Sequence, residues 1–276
     1  MDAVPYAFCS AVVALPRRPF PIGCEFPSEL WRVAANDNAK NQTNCRLSIG
    51  HKDGIWSYRI EHGSNTLTFP ELRKLNKRHV RIDHVQISNS ILNPGIRSSF
   101  DEIKKIVEHT FSCVNVARLY LCETANFSQN QLLELLAFYK NCVFKDVFIS
   151  EIDDAVLNFL RPHLQSPMLE QFFVGGDSCS AALLAAIRNI AFCKTVRSFD
   201  CRASEAVFDK KYFRIFFQKP VNHIQHYWLN HSFQFRDFGS FGGVPDYLYL
   251  EWRRPDGVKV QVTRTGYNSC LVEFLP

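Results

Sequence analysis

Residues 84–88 (HVQIS), 118–122 (RLYLC), 146–150 (DVFIS), 171–175 (QFFVG), 198–202 (SFDCR) and 226–230 (HYWLN) share one pattern, an apolar anchor pair at alternate positions. Side chains two apart on a strand face the same way, so each segment reads as a short strand with its anchors turned inward. The first anchors are Val85, Leu119, Val147, Phe172, Phe199 and Tyr227, spaced by 34, 28, 25, 27 and 28 residues. A repeat of about 20–29 residues with one strand and one helix per unit is the signature of leucine-rich solenoids. One such unit cannot bury its own apolar face, so units must stack and share a core.

Helical patterns fill the intervals. Ser98–Ser112 carries Ile103, Ile106 and Val107 on one stripe, and Ser128 opens a run with Leu132, Leu135, Leu136 and Tyr139. Asp153 starts a helix with Val156, Leu157 and Leu160, ending near Pro162. Ser180–Phe192 brings Leu183, Leu184 and Ile187, and Ser204–Phe217 brings Val207, Tyr212 and Phe216. Strand and helix alternating at this length predict parallel strands on one wall and helices on the other.

Working outward, the predicted fold class is α/β: a leucine-rich-repeat-like solenoid with a parallel sheet over 81–235. Residues 1–40 read as short helices, with Val4, Phe8, Val12 and Leu15 on one stripe before Pro16, Pro19 and Pro21 interrupt it, and a second helix from Ser28 to about Ala35. Asn36–Asn44 reads as loop. Residues 41–80 hold a β-hairpin, CRLSIGHKDGIWSYRI, turning at Lys52-Asp53-Gly54, then a short linker helix around Pro70–Lys77. Residues 236–276 pass from GSFGG at 239–243 into three alternating segments separated by turns at Pro255–Gly257 and Gly266, an antiparallel β meander that caps one end.

Composition narrows the classes. A chain of 276 residues, 46% hydrophobic with 24 Phe, is ordered and globular; at that length about 70–75% of the unfolded chain's surface is buried. The formal net charge of +5 is mild and by itself points to no nucleic-acid partner. None of the ten cysteines forms a Cys-x-x-Cys pair, so reduced thiols in the cytoplasm or nucleus are expected rather than zinc or disulfides. The apolar stretch Ala7–Leu15 is short, Asp2 stands where a leader carries a base, and Arg17-Arg18 follow rather than precede it, so no secretory leader is expected. No run of 18 apolar residues occurs, and no membrane span is expected.

Searches for chemistry return little. His223, His226 and His231 invite a metal, but strand positions three apart face opposite sides. GSFGG lacks the Lys-Ser/Thr and helix of a phosphate cradle, and no His-Glu-x-x-His or nucleophile elbow occurs. No catalytic, metal-ligating or cofactor-binding residue is assigned, and the chain is expected not to be an enzyme. The strand residues between the anchors are Gln86, Tyr120, Phe148, Phe173, Asp200 and Trp228; if the anchors point in, these point out as one column. Four of the six are aromatic, which marks either a partner-binding surface or a wall covered by another part of the chain. Arg118, Asp146, Gln171, Arg202 and His226 would frame it. The run ELRKLNKRHVRIDH holds Arg73, Lys74, Lys77, Arg78 and Arg81, either a solvated face or a phosphate-contacting stripe.

Met1-Asp2-x-Val4-Pro5-x-x-Phe8-Cys9 with the apolar helix after it resembles the opening of a large set of nematode proteins that are F-box-like or F-box-associated. Leu30-Trp31, the hairpin and the strand–helix array are similar in kind. The resemblance implies that the N-terminal helices dock on the adaptor of a cullin-type ubiquitin ligase and that the C-terminal repeats select a substrate. Val4, Pro5, Phe8, Val12 and Leu15 would then make the adaptor contact. The prolines at 16, 19 and 21 leave two short helices where an F-box has about three, which departs from that pattern. The expected function is a non-enzymatic protein-interaction module selecting ubiquitination substrates; a nucleic-acid-binding or purely structural scaffold is the alternative.

Overall fold

The structure, a computed structural model, describes residues 8–9, 28–90, 92, 94–124, 127–150, 154–175, 181–191, 195–201, 207–221, 223–231, 249–265 and 269–276. The expected helix over 3–15 (Phe8 and Cys9 apart), Pro16, Pro19, Pro21, Arg202, the GSFGG loop and the turn at Gly266 lie outside them. The chain divides into two compact units, the first Met1–Ala117 with Phe138–Val143, the second Arg118–Ala137 with Phe144–Pro276.

In the first unit α1 (Glu29–Asn41) leads into β1 (Thr43–Lys52), β2 (Ile55–His62) and β3 (Asn65–Leu67), then α2 (Phe69–Lys74), β4 (Val80–Ser88), β5 (Ile96–Ser98) and α3 (Phe100–Thr110). Helix α1 runs six residues past the expected end near Ala35. Ala34, Ala35 and Asn38 form one buried stripe, and the Asn41 amide donates to the Asp37 carbonyl at 2.9 Å, so packing and a side-chain cap carry the polar stretch as helix. The hairpin turns through Asp53 and Gly54, both at positive φ (52° and 78°), with Lys52 opposite Ile55. Two left-handed residues are what a two-residue hairpin turn requires. Strand β4 pairs parallel with β1 from Thr43↔Val80 to Gly50↔Ser88. Thr68 and Glu71 cap α2 reciprocally.

The second unit alternates strands and helices. It takes up β6 (Val114–Cys122) from Arg118 onward, α4 (Gln129–Phe138) to Ala137, β7 (Phe144–Ser150), α5 (Asp154–Leu164), β8 (Gln171–Gly175), α6 (Ala181–Ala191), β9 (Ser198–Cys201), β10 (Val207–Phe208), α7 (Lys210–Phe216) and β11 (Gln225–His231). Strands β12 (Tyr249–Arg253), β13 (Lys259–Arg264) and β14 (Ser269–Leu275) follow. β7, β8, β9 and β11 pair in parallel, in that order. β14 joins β11 antiparallel, and β13 and β12 follow antiparallel. The three-stranded meander therefore extends the sheet in its own plane instead of lying across an end. The chain is mixed α/β, and its strand pairing is open, does not close into a barrel and is not parallel throughout. Val207 stands on β10 and not on a helix, because Asp209 starts α7 two residues later by accepting from the Tyr212 amide at 2.7 Å.

All twelve anchor residues are buried, none more than 1% exposed. Those of β7 to β11 fall into register as Val147–Phe172–Phe199–Tyr227, with Val272 of β14 opposite Tyr227. Rings from α7 cover this row: Phe216 meets Tyr227 at 5.0 Å and Phe274 at 5.4 Å, and Phe217 meets Trp252 at 5.0 Å. Each such side chain taken fully out of water contributes about 1.5–3 kcal/mol. Lys219 is enclosed at 3% exposure; its ammonium stands 3.9 Å from the Tyr227 ring centroid and donates to the Tyr227 hydroxyl. That hydroxyl in turn donates to Gln225 Oε1 at 3.1 Å.

Removing the hydroxyl takes one acceptor from a buried ammonium and one donor from a buried amide. Tyr227→Phe is expected to cost about 2 kcal/mol in urea unfolding, and Lys219→Met in the same background should return most of it. A cost under about 0.5 kcal/mol would show that this network carries no stability.

Candidate interaction surface

Cross-strand partners share a face, so the buried row fixes what stands on the opposite one. The pairs Phe148↔Phe173, Phe173↔Asp200 and Asp200↔Trp228 place four of the column residues in one line. Tyr120 joins them by stacking on Phe148 at 4.2 Å with planes 5° apart, and Phe148 meets Phe173 at 5.8 Å. Trp228 is 37% exposed and Tyr120, Phe148, Phe173 and Asp200 are half-buried. Offset or stacked ring pairs add about 0.5–1.5 kcal/mol beyond area burial, so the row is a stiff platform. Gly175 makes room beside it: a Cβ there would stand 3.0 Å from the Phe173 ring. Gln86, the sixth member of the expected column, lies half-buried on β4 in the first unit, opposite Ser48 of β1.

The row runs further than the repeat pattern indicates. Trp228 is opposite Leu271, Leu271 opposite Thr263, and Thr263 opposite Tyr249 at the edge strand. These three escape a search for parallel repeats because the meander strands alternate in direction. Their signal was the alternation in CLVEF and VKVQVTR, where Cys270, Val272, Phe274, Val260 and Val262 are buried.

Beside the aromatic line runs a polar one, two residues along each strand. Asp146 is opposite Gln171, Gln171 opposite Ser198, and Ser198 opposite His226. His226 is then opposite Glu273, with Gln261 and Glu251 beyond. Polar groups answer one another across strands: Arg118 Nε to Asp146 Oδ2 at 3.1 Å, His226 Nδ1 to Glu273 Oε1 at 3.0 Å, Lys259 to Glu251 at 2.9 Å. The Tyr249 hydroxyl donates to Glu251, and with Lys259 and Gln261 it holds that carboxyl down at about 2. The same bond pushes the Tyr249 phenol up to about 12. Such a face offers ring contact and shape, flanked by paired polar groups.

Of the residues expected at the adaptor contact, Phe8 is 54% exposed and meets Trp31 edge-on at 6.1 Å, while Cys9 packs with Ala34 and Ala35. Val4, Pro5, Val12 and Leu15 lie outside the described residues. Among the described residues no cluster of three or more His, Cys, Asp or Glu has metal-binding geometry, and no helix is long and apolar enough to cross a membrane. Cys45 and Cys142 are free thiols that burial pushes up to about 11, so their nucleophilic thiolate is scarce at neutral pH.

Asp146 sets the pH behaviour of this surface. Its side chain is 3% exposed, and among the described residues Oδ1 has no hydrogen-bond partner. Burial raises its carboxyl above the ordinary value, with Lys145 and Arg118 pulling back. The folded chain thus holds this proton more tightly than the unfolded chain, so stability is full below about pH 4 and falls as pH rises through the raised value. Asp146→Asn should gain about 1 kcal/mol at pH 7 and close to nothing at pH 4. Urea unfolding at both pH values measures this, and a loss at pH 7 would mean that the Arg118 pair outweighs desolvation. No family model matches the chain, and no curated protein or solved structure matches it significantly.

Proposed function

We propose that the chain is a non-enzymatic protein-interaction module whose docking surface is the Tyr120–Phe148–Phe173–Asp200–Trp228 row. In this reading the strand–helix units form a leucine-rich-repeat-like solenoid, and the row selects a substrate for a cullin-type ubiquitin ligase, with the N-terminal segment holding the adaptor. The observation that carries it is the register: rings from successive strands are aligned on one face and interrupted only by Asp200. Aromatic side chains with a polar border are the composition of interface centres and rims. Reduced thiols fit a cytoplasmic or nuclear setting. Support for the adaptor role is the Met1–Cys9 resemblance together with the exposed Phe8 on Trp31.

Phe148→Ala with Phe173→Ala should leave the melting temperature within a few degrees of the parent and weaken partner capture by about tenfold to a hundredfold. Affinity purification read by mass spectrometry, on the full chain and on a chain lacking residues 1–35, tests both halves. Cullin components should appear only with residues 1–35 present; their absence from both would remove the ligase assignment. A large loss of thermal stability in the double variant would make the row a covered core and remove the docking surface.

A further inference from the structure

The first unit carries most of the chain's net charge in one place. Segments 69–83 and 104–113 contain seven Lys and Arg against three carboxylates, four of the formal +5. Arg73, Lys74, Lys77 and Arg78 are exposed on the last turn of α2 and the turn after it. Arg81 is fixed at the start of β4, its Nη1 donating to the carbonyls of Arg78 at 3.0 Å and Val80 at 2.9 Å.

These cations fall within nine residues of chain, 73–81. The Arg73 guanidinium stands 5.9 Å from the Phe69 ring centroid, and Phe69 meets His109 of α3 edge-on at 5.7 Å. His109 is held below its ordinary value by burial first, then by Lys77 and Arg73. Burial raises the Cys113 thiol while Lys77 and Arg81 oppose it. Lys77 thus acts on both groups, Arg73 on His109 and Arg81 on Cys113.

Helix ends do not account for so much charge. The C-termini of α2 and α3 each offer about half a negative charge, and the Glu71 carboxylate is engaged by the Thr68 cap. Two rings adjoin these segments in the chain: Phe69, half-buried, carries Arg73, and Phe111, which directly follows α3, is 37% exposed and meets Phe138 at 6.0 Å. Cations along a line with ring faces beside them are what a single-stranded nucleic acid uses, phosphates on the charges and bases on the rings.

We propose that the first unit binds single-stranded nucleic acid without sequence preference along Arg73, Lys77 and Arg81, with Phe111 as a stacking ring. The test is fluorescence anisotropy of the full chain with a labelled 20-nucleotide oligouridylate between 25 and 200 mM KCl. Three to four neutralised phosphates give a slope of log K against log salt of about −2 to −3. Arg73→Glu with Lys77→Glu should lose more than tenfold and flatten the slope by about 1.4; Lys74→Glu with Arg78→Glu replaces that pair if it fails to fold. Phe111→Ala should weaken oligouridylate by about fivefold or more and leave an abasic oligomer of equal length unchanged. The proposal is overturned if nothing binds at 25 mM KCl, if the abasic oligomer binds the parent as tightly as oligouridylate, or if phosphatidylserine vesicles compete better than the oligomer. Loss of partner capture through the second unit would leave this result untouched.

Discussion

The constraint on which the second unit rests is the in-register buried row Val147–Phe172–Phe199–Tyr227, continued by Val272 of β14. A slip of one residue in any strand would turn its anchors to the outer face and its outer residues into the core. For β8 that would exchange Phe172 and Val174 for Gln171, Phe173 and Gly175, and for β11 it would drive His226 and Trp228 inward. Cover from Phe216 and Phe217 makes such slips costly, because the rings of α7 and β14 interlock with Tyr227 and Trp252. The aromatic platform is thus a by-product of core packing, its geometry inherited from side chains on the opposite face of the strands.

Much of this was legible in the sequence because burial writes itself as alternation. The twelve anchors, the hairpin at Asp53-Gly54 and the stripes of the helices all follow from periods of 2 and 3.6. Strand partners were not legible, since pairing depends on contacts distant in sequence. Strand β4 reads as the first repeat strand, and its parallel pairing with β1 of the hairpin is a contact that no repeat spacing announces. The C-terminal segments read as a cap, yet β14 offers Val272 and Phe274 in phase with Tyr227 and Gln225 of β11, so hydrogen bonding in the sheet plane satisfies its backbone. Helix limits moved wherever a cap or a buried polar residue decided them: Asn41 on Asp37 lengthens α1, and Asp209 delays α7.

The candidate surface was half visible. Its rings follow from alternation once the anchors are known, and Tyr120, Phe148, Phe173, Asp200 and Trp228 were all found that way. Leu271, Thr263 and Tyr249 were not, because a row crossing antiparallel strands has no constant spacing along the chain. The burial of Asp146 was also hidden: a carboxylate in the strand Asp146–Ser150 reads as solvated until the packing around it is known.

Charge decides how the two units differ as surfaces. On the outer face of the second unit, Asp146, Glu273 and Glu251 each stand against a cation or imidazole from a neighbouring strand. Little net field remains there, so a protein docking on this face as proposed would have to match shape and ring positions while leaving those pairs undisturbed. In the first unit Arg73, Lys74, Lys77, Arg78 and Arg81 face two carboxylates of their own segment, Glu71 and Asp83. Their field extends about a Debye length, near 8–10 Å at physiological salt, and attracts any anionic chain before contact. Under the two proposals, one surface discriminates at short range and the other collects at long range. A chain with a net charge of only +5 does both because its charge is concentrated in one unit and cancelled, strand against strand, in the other.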